Sequence, residues 1–549
     1  MHPNTVLSIP ELLENILSFV DRRENVINAC VCKQWSEIAM GLVWREVESL
    51  PQFLTLLRPS QTRGVSQNVF DRQPDLRDWA RFQKYANRVH ILRYRQERAD
   101  YTCMLDDIAR TRTTLDILPN LHTLEWIFKD VKCMERATLF MHQHVRHLAI
   151  SAPPLKARTS FFVDACSRMP NLHSLDLRVS YPVRLIEADL LELLRGLPDL
   201  RKVIFPEFYL TSAIVSELSR KKHIIVIRFE FTPEQGLGEE EDVDSFSPVI
   251  EQGAFPMLQD LSITARLEDI IRFMGADFAP IHITCLYIHT YVELEPEELH
   301  TLFVTLSKQC CLLSELYTKL LDVHNRRKLV SAKQITFDTL RPLLSLPHLT
   351  TFEVMHKYPV NISLEEIEEL ASQWPALQSL SLNEEPLAMH DFTLDLRALV
   401  PFARHCPKLF SLGLFMDATA PQIHPAQELI PFTALEVLFI GTSRAREPGA
   451  AAAFLSCLCP LGCEIDAAIT WTSYGSRSCR EMDSTALVDI ENRSASWKSV
   501  SDLLPLFIQV RREERGKSKA LREEVEDLRT KNRLLMDKDN IGANGSCTI

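Results

Sequence analysis

A phrase of apolar and polar positions returns through residues 118–440: Pro, a variable residue, Leu, two further residues, then an apolar–x–apolar triplet. Full copies occupy 118–126, 169–177, 197–205, 255–263, 346–354, 374–382 and 406–414, and weaker ones 144–150, 281–288 and 432–440. The triplets open at Leu124, Leu148, Leu175, Val203, Leu261, Leu286, Phe352, Leu380, Leu412 and Leu438, mostly 24 to 32 residues apart. Apolar runs at 223–229, 313–317 and 334–337 stand in the two wider gaps and are read as missing copies. Alternation within a triplet predicts a short strand with every second side chain inward. Helices are predicted between strands at 186–194, 296–306, 364–374 and 394–404, where apolar residues recur at three- and four-residue spacing. No single strand–helix unit buries its own apolar face, so neighbours must stack.

Both ends carry a helical period instead. Leu12, Leu13, Ile16, Leu17 and Val20 form a wide apolar face behind Ser8, Pro10 and Glu11, which suit a helix start. Shorter helices are predicted at 24–30 and 32–42, with a break at Gly41 and Trp44 beyond it. Three helices in about 40 residues have too little interior to bury all these groups on themselves, so other polypeptide must cover part of them. Near the other end Leu521, Val525, Leu528, Asn532 and Leu535 alternate steps of four and three, with Asn at a core position. This suits a lone or docked helix, or a short coiled coil through which the chain self-associates.

The chain has 549 residues, 24% of them charged and 46% hydrophobic, with a formal net charge of −12. Such a balance argues against a general nucleic-acid binder. Residues 1–20 lack a basic stretch followed by an apolar one, and 449–463, which holds Pro460, is too short to span a membrane. An intracellular protein, cytoplasmic or nuclear, with reduced thiols is therefore expected of the 14 cysteines.

Known chemistry is sought and not found. Arg515-Gly516-Lys517-Ser518 ends like a phosphate loop, but Arg511 stands where the first glycine is required. Cys457, Cys459 and Cys463 lack zinc-finger spacing, and there is neither a Gly-x-Ser-x-Gly elbow nor a His-Glu-x-x-His pair. His122, His173 and His348 fall within the phrase and read as strand-edge residues; 239–244 reads as an acidic solvated loop. No catalytic residue, metal or cofactor is assigned.

The run Ile9-Pro10, Glu11, Leu12-Leu13, Ile16-Leu17, Phe19, then Val31-Cys32-Lys33-Gln34-Trp35 and Trp44, resembles an F-box, with Ile9 in place of the family's Leu. The step near 28 is similar to that of the longer leucine-rich repeats. Together they resemble a fungal type of F-box protein. The resemblance implies an α/β chain: a small three-helix F-box over 5–50, then a curved leucine-rich-repeat solenoid of about 10–13 irregular repeats. A linker and array cap at 51–114 (with a loop at 61–74), repeats at 115–470, a cap at 471–505, a helix at 506–538 and a disordered tail at 539–549 complete the plan. It also implies binding to a Skp-type adaptor and, through it, to a cullin. Pro10, Leu12, Leu13, Ile16, Leu17, Val31, Cys32, Trp35 and Trp44 belong to that motif, with Pro10, Leu13 and Ile16 expected in direct contact. The expected function is substrate recognition for a ubiquitin ligase; the alternative is a scaffold that binds the adaptor without directing ubiquitination. A target protein is expected on the concave face, at the residues between core positions: Glu125, Asp176, Arg178, Ser262, Tyr287, Glu353, Met355, Ser381, Asn383, Phe415 and Phe439.

Overall fold

The computed structural model describes residues 7–63, 67–95, 100–128, 131–151, 159–230, 232, 234–292, 295–320, 334–387, 389, 392–418, 429–469 and 484–543. The chain is α/β and divides into two compact units. The first comprises Met1–Tyr291 with Lys308–Leu312, the second Val292–Ser307 with Leu313–Ile549. The division falls inside the span expected to be one repeat domain.

The first unit opens with three helices, α1 (Pro10–Ser18), α2 (Arg22–Asn28) and α3 (Lys33–Arg45). Ile9 rather than Ser8 precedes the first turn and offers no side-chain cap. Asp21 caps α2 by accepting from the Glu24 amide at 2.8 Å. Helix α3 runs through Gly41 without the expected break. Its last turn leads directly into β1 (Glu46–Val47), a strand that lies within the span expected for the three-helix unit. A polar hairpin, β2 (Ser60–Arg63) and β3 (Gln67–Phe70), stands where a loop was expected.

The strands that follow are β4 (Ile91–Arg95), β5 (Thr123–Ile127), β6 (His147–Ser151), β7 (Ser174–Arg178), β8 (Lys202–Ile204), β9 (Val226–Arg228), β10 (Asp260–Thr264) and β11 (Cys285–His289). β1 and β4 to β11 pair in sequence order, all parallel. The register places Leu92, Leu124, Leu148, Leu175, Val203, Ile227, Leu261 and Leu286 in one buried file. The run at 223–229 is therefore a strand, as its position between copies implies.

The second unit repeats the plan with β12 (Glu315–Leu320), β13 (Thr351–His356), β14 (Ser379–Leu382), β15 (Ser411–Leu414), β16 (Val437–Phe439) and β17 (Glu464–Asp466), again parallel and in order. The candidate strand at 334–337 is instead a single bridge at Thr336 leading into the helix Phe337–Leu340. Helices over Glu187–Arg195, Pro296–Gln309, Leu364–Gln373 and Leu399–His405 lie where the apolar spacing places them. Ser363 and Glu366 close a capping box at the start of Leu364–Gln373.

One helix, Ser484–Ala543, ends the described chain and passes through Pro505. It runs without a break from the expected cap into the expected helix, and it includes residues 539–543, expected to be disordered; 471–483 of the expected cap and 544–549 lie outside the described residues. Ile490, Trp497, Val500, Leu504 and Ile508 are buried along one stripe. Past Arg515 the described side chains are exposed, Leu521, Val525 and Leu528 among them. Among the described residues no helix is long and apolar enough to cross a membrane.

Candidate functional site

The three-helix unit has a very small interior, formed by Leu13, Leu17 and Ala39 with Leu7, Ala29, Trp35, Ile38 and Leu42 around them. Asn25 is buried beneath this core, and its amide donates to the carbonyls of Leu17 at 2.9 Å and Val20 at 3.2 Å. Those carbonyls belong to the open C-terminal turn of α1, so one side chain satisfies that end and fixes the α1–α2 angle.

The apolar positions of α1 and its flanks make a face too wide for so small a core, and the structure divides it. Leu13 and Leu17 point inward, while Leu12 and Ile16 are each 42% exposed and Phe19 is 86% exposed. Ile9, Leu12, Ile16 and Phe19 follow helical spacing along the outer side of α1. Val26 and Ile27 on α2 and Val31 in the next turn are bare as well.

The residues expected at an adaptor contact thus sort into two groups. Pro10, Leu12, Ile16, Val31 and Cys32 are on the surface. Leu13 is fully buried, so its expected direct contact is corrected: it holds the three helices together, as does Leu17. Trp35 is half-buried in the same core. Trp44 packs against Phe53 at 5.7 Å and Tyr85 at 5.5 Å, under the Arg22 guanidinium, and so joins the three helices to the helices Leu50–Leu54 and Leu76–Ala86 that follow. Arg88 strengthens that junction by donating to the Glu37 carbonyl at 2.7 Å.

The second candidate surface is the outward row of the strands. In the first unit Arg93 lies between the carboxylates of Glu46 and Glu125, 2.9 Å from the latter. Ser262 and Tyr287 are register partners, and Tyr287 packs edge-on against Phe229 at 5.1 Å. Asp176 pairs with Arg178 at 2.7 Å and also accepts from buried Gln235 at 3.3 Å. That loop residue covers Asp176, which together with buried Ser262 is corrected from open surface to interior. The acidic stretch at 239–244 is pinned rather than loose. Arg184 bonds Glu239 and Asp242, and Arg266 and the Tyr291 hydroxyl both reach Asp244.

In the second unit Glu353, Ser381, Gly413 and Phe439 share one register row. Glu353, Met355, Ser381 and Phe439 are half-buried. Two expected members leave the row because their strands have already ended. Asn383 takes a left-handed backbone (φ 52°) and turns inward. There its carbonyl oxygen accepts from the His356 amide at 3.0 Å and its amide donates to the Tyr358 carbonyl at 2.6 Å. Phe415 stacks on Phe392 at 4.5 Å in a cluster with Met389 and Ile490 of the C-terminal helix. Both are structural, not open to a partner.

The Glu384 side chain lies over Gly413, where a Cβ would sit 2.7 Å from its carboxylate, and it accepts from the Ser381 hydroxyl. Burial pushes the neighbouring Glu353 carboxyl up to about 7, and the charges of Glu384 and Glu385 add to the shift. A folded-state value above the unfolded one means that the folded chain holds the extra proton. The contribution of Glu353 to stability is therefore fully present below about pH 4.5 and is lost as pH rises from there through 7. Glu353→Gln is expected to stabilise the second unit by on the order of 2 kcal/mol at pH 8 and by almost nothing at pH 4. Urea melts at the two pH values measure this, and equal effects at both would contradict it.

Cys457 and Cys459 are buried free thiols, and among the described residues no group of three His, Cys, Asp or Glu could hold a metal. Sequence reasoning did not single out Val26 and Ile27, which the structure leaves exposed. The size of the three-helix core, set against its apolar count, is the signal that they must lie outside it. No family model matches the chain. A search of curated proteins likewise finds no match.

Proposed function

We propose that this chain is an F-box protein with leucine-rich repeats, a substrate receptor of a cullin–RING ubiquitin ligase. The three-helix unit docks on a Skp-type adaptor, and the strand ladder holds the target. The observation that carries the reading is the division of α1: a core of three buried side chains beside a bare row of Ile9, Leu12, Ile16 and Phe19. Exposed apolar groups on so small a unit favour cover by another polypeptide. The order and spacing of Pro10, Leu12-Leu13, Ile16-Leu17, Val31-Cys32 and Trp35 select the adaptor as that polypeptide. Trp44 and Arg88 support the reading from the other side, because they tie the docked unit to the helical segments that precede β4.

In this reading the chain performs no chemistry of its own. It brings a target's lysines close to an activated ubiquitin, and the rate gain comes from proximity. The half-buried row of Glu353, Met355, Ser381 and Phe439 mixes charge, apolar and aromatic groups, a composition suited to a protein target.

The test is co-purification of the intact chain with a Skp-type adaptor and cullin, followed by a search for proteins that accumulate when the chain is removed. Adaptor binding with an accumulating target is the expected result. Adaptor binding with an unchanged proteome leaves only a scaffold, and failure to bind the adaptor overturns the assignment.

A further inference from the structure

The starts of the parallel strands of the first unit each add one residue to a backbone-bonded file, which from β9 on runs through Ile225, Gln259 and Thr284. The His90 amide donates to the Arg45 carbonyl at 2.8 Å, His122 to His90 at 2.9 Å, and Arg146 to His122, His173 to Arg146 and Arg201 to His173 each at 2.8 Å. Its first six members, Arg45-His90-His122-Arg146-His173-Arg201, are all arginine or histidine. At one strand spacing per step these six extend over ~24 Å. His147 and Lys202 lie beside it at the first positions of β6 and β8.

Arg45, His147 and Arg201 are exposed, and His90, His122, Arg146, His173 and Lys202 are half-buried, so the file faces solvent. The chain carries a net charge of −12, and most arginines described in this unit are ion-paired. Arg45, Arg146, Arg201 and Lys202 have no ion-pair partner among the described residues; Arg146 donates only to the Asn171 carbonyl, at 2.8 Å. Unpaired cations held in line by a sheet are a preorganised anion site, since their ordering is already met by the fold.

We propose that this file binds an extended anionic polypeptide segment, bearing carboxylates or phosphates, laid across the strand starts of the first unit. A peptide fits better than a nucleic acid, because the carboxylates of Glu14 and Asp199 lie beside His90 and His173 and the chain as a whole carries a net charge of −12. Those groups flank a thin chain but repel a broad phosphate backbone. The histidines separate the arginines, so three guanidinium groups share the line without touching.

Burial lowers the affinity of His90, His122, His147 and His173 for a proton, and their cationic neighbours Arg45, Arg146, Arg201 and Lys202 add to this. Glu14 beside His90 and Asp199 beside His173 oppose it. At neutral pH the spacers are uncharged. An anion laid across them draws protons in, so binding tightens as pH falls.

The probe is a fluorescein-labelled deca-glutamate peptide, with a phosphoserine-bearing copy as a second arm, titrated into the full-length chain and read by anisotropy. Both arms are expected to bind. Affinity should rise about tenfold between pH 7.5 and 6, with net proton uptake by calorimetry in buffers of different ionisation heat. Arg146→Glu with Arg201→Glu should weaken binding at least tenfold, while Arg512→Glu on the exposed C-terminal helix leaves it unchanged. If the double reversal fails to fold, Arg146→Gln with Arg201→Gln should weaken it about threefold. Equal binding by the file variants, or tighter binding of a single-stranded RNA decamer than of either peptide, would overturn the proposal. Adaptor binding is measured on the same variants and should not change, so this proposal and the ligase reading fail separately.

Discussion

Replacing Leu12 and Ile16 together by Asp is expected to abolish retention of a Skp-type adaptor while the strand ladder stays folded. Each side chain is 42% exposed and neither belongs to the Leu13–Leu17–Ala39 core. The substitutions therefore cost the free chain little, because an exposed helix position tolerates Asp to within about 1 kcal/mol. In the complex each lost side chain removes ~1.5–3 kcal/mol of burial, and each carboxylate is placed where no partner awaits it. A combined loss of at least ~4 kcal/mol corresponds to roughly a thousandfold in affinity. Leu13→Asp is the contrasting variant. It buries a carboxylate in an interior of three residues, so it should unfold the three-helix unit and lose the adaptor indirectly. Circular dichroism and proteolysis of residues 7–50 distinguish the two outcomes. Undiminished adaptor binding by the Leu12, Ile16 variant would sink the assignment of that surface.

The largest stability effect is expected at Trp497. Its ring is fully buried, and its Nε1 donates to the Ser443 carbonyl at 3.0 Å. One turn earlier Arg493 donates to the Thr442 carbonyl at 2.7 Å, so two side chains of one helix bond consecutive carbonyls just past β16. Trp497→Ala removes the ring, leaves a cavity and strands the Ser443 carbonyl. Loss of a large buried aromatic costs ~3–5 kcal/mol. The midpoint of urea unfolding of the second unit should fall accordingly, and the helix from 484 should become protease-sensitive before the ladder does. Simultaneous loss of both, with no early cleavage, would show that the helix is not a separable cap.

Much of the ladder is legible in the sequence because a parallel repeat is specified locally. Each copy of the phrase carries its own inward Leu and its own strand, so Leu124, Leu175, Leu380 and Leu412 are placed without knowledge of their neighbours. What is not legible depends on distant segments. Leu12 and Leu13 are adjacent leucines on one apolar face, and only the path of α3 decides which is buried. Asp176 is covered by Gln235, and Phe415 by Phe392 and Ile490, residues that no period links to them. Asn383 leaves the outward row because its strand is already over, and strand length is set by the register of both neighbours. The hairpin Ser60–Arg63 with Gln67–Phe70 lacks alternation because six of its residues are polar and its two apolar ones, Val69 and Phe70, are adjacent. The helix through Pro505 continues because that residue faces solvent and neighbouring Leu504 is anchored.

The last strand, β17, is only three residues long, and the C-terminal helix lies against it. A parallel sheet that simply stopped there would leave a raw margin of amide and carbonyl groups, ready to recruit the same margin of another molecule into a growing fibre. The helix acts as a selvedge. A chain cut before residue 484 would keep every strand described and yet lose what keeps each molecule a finite object.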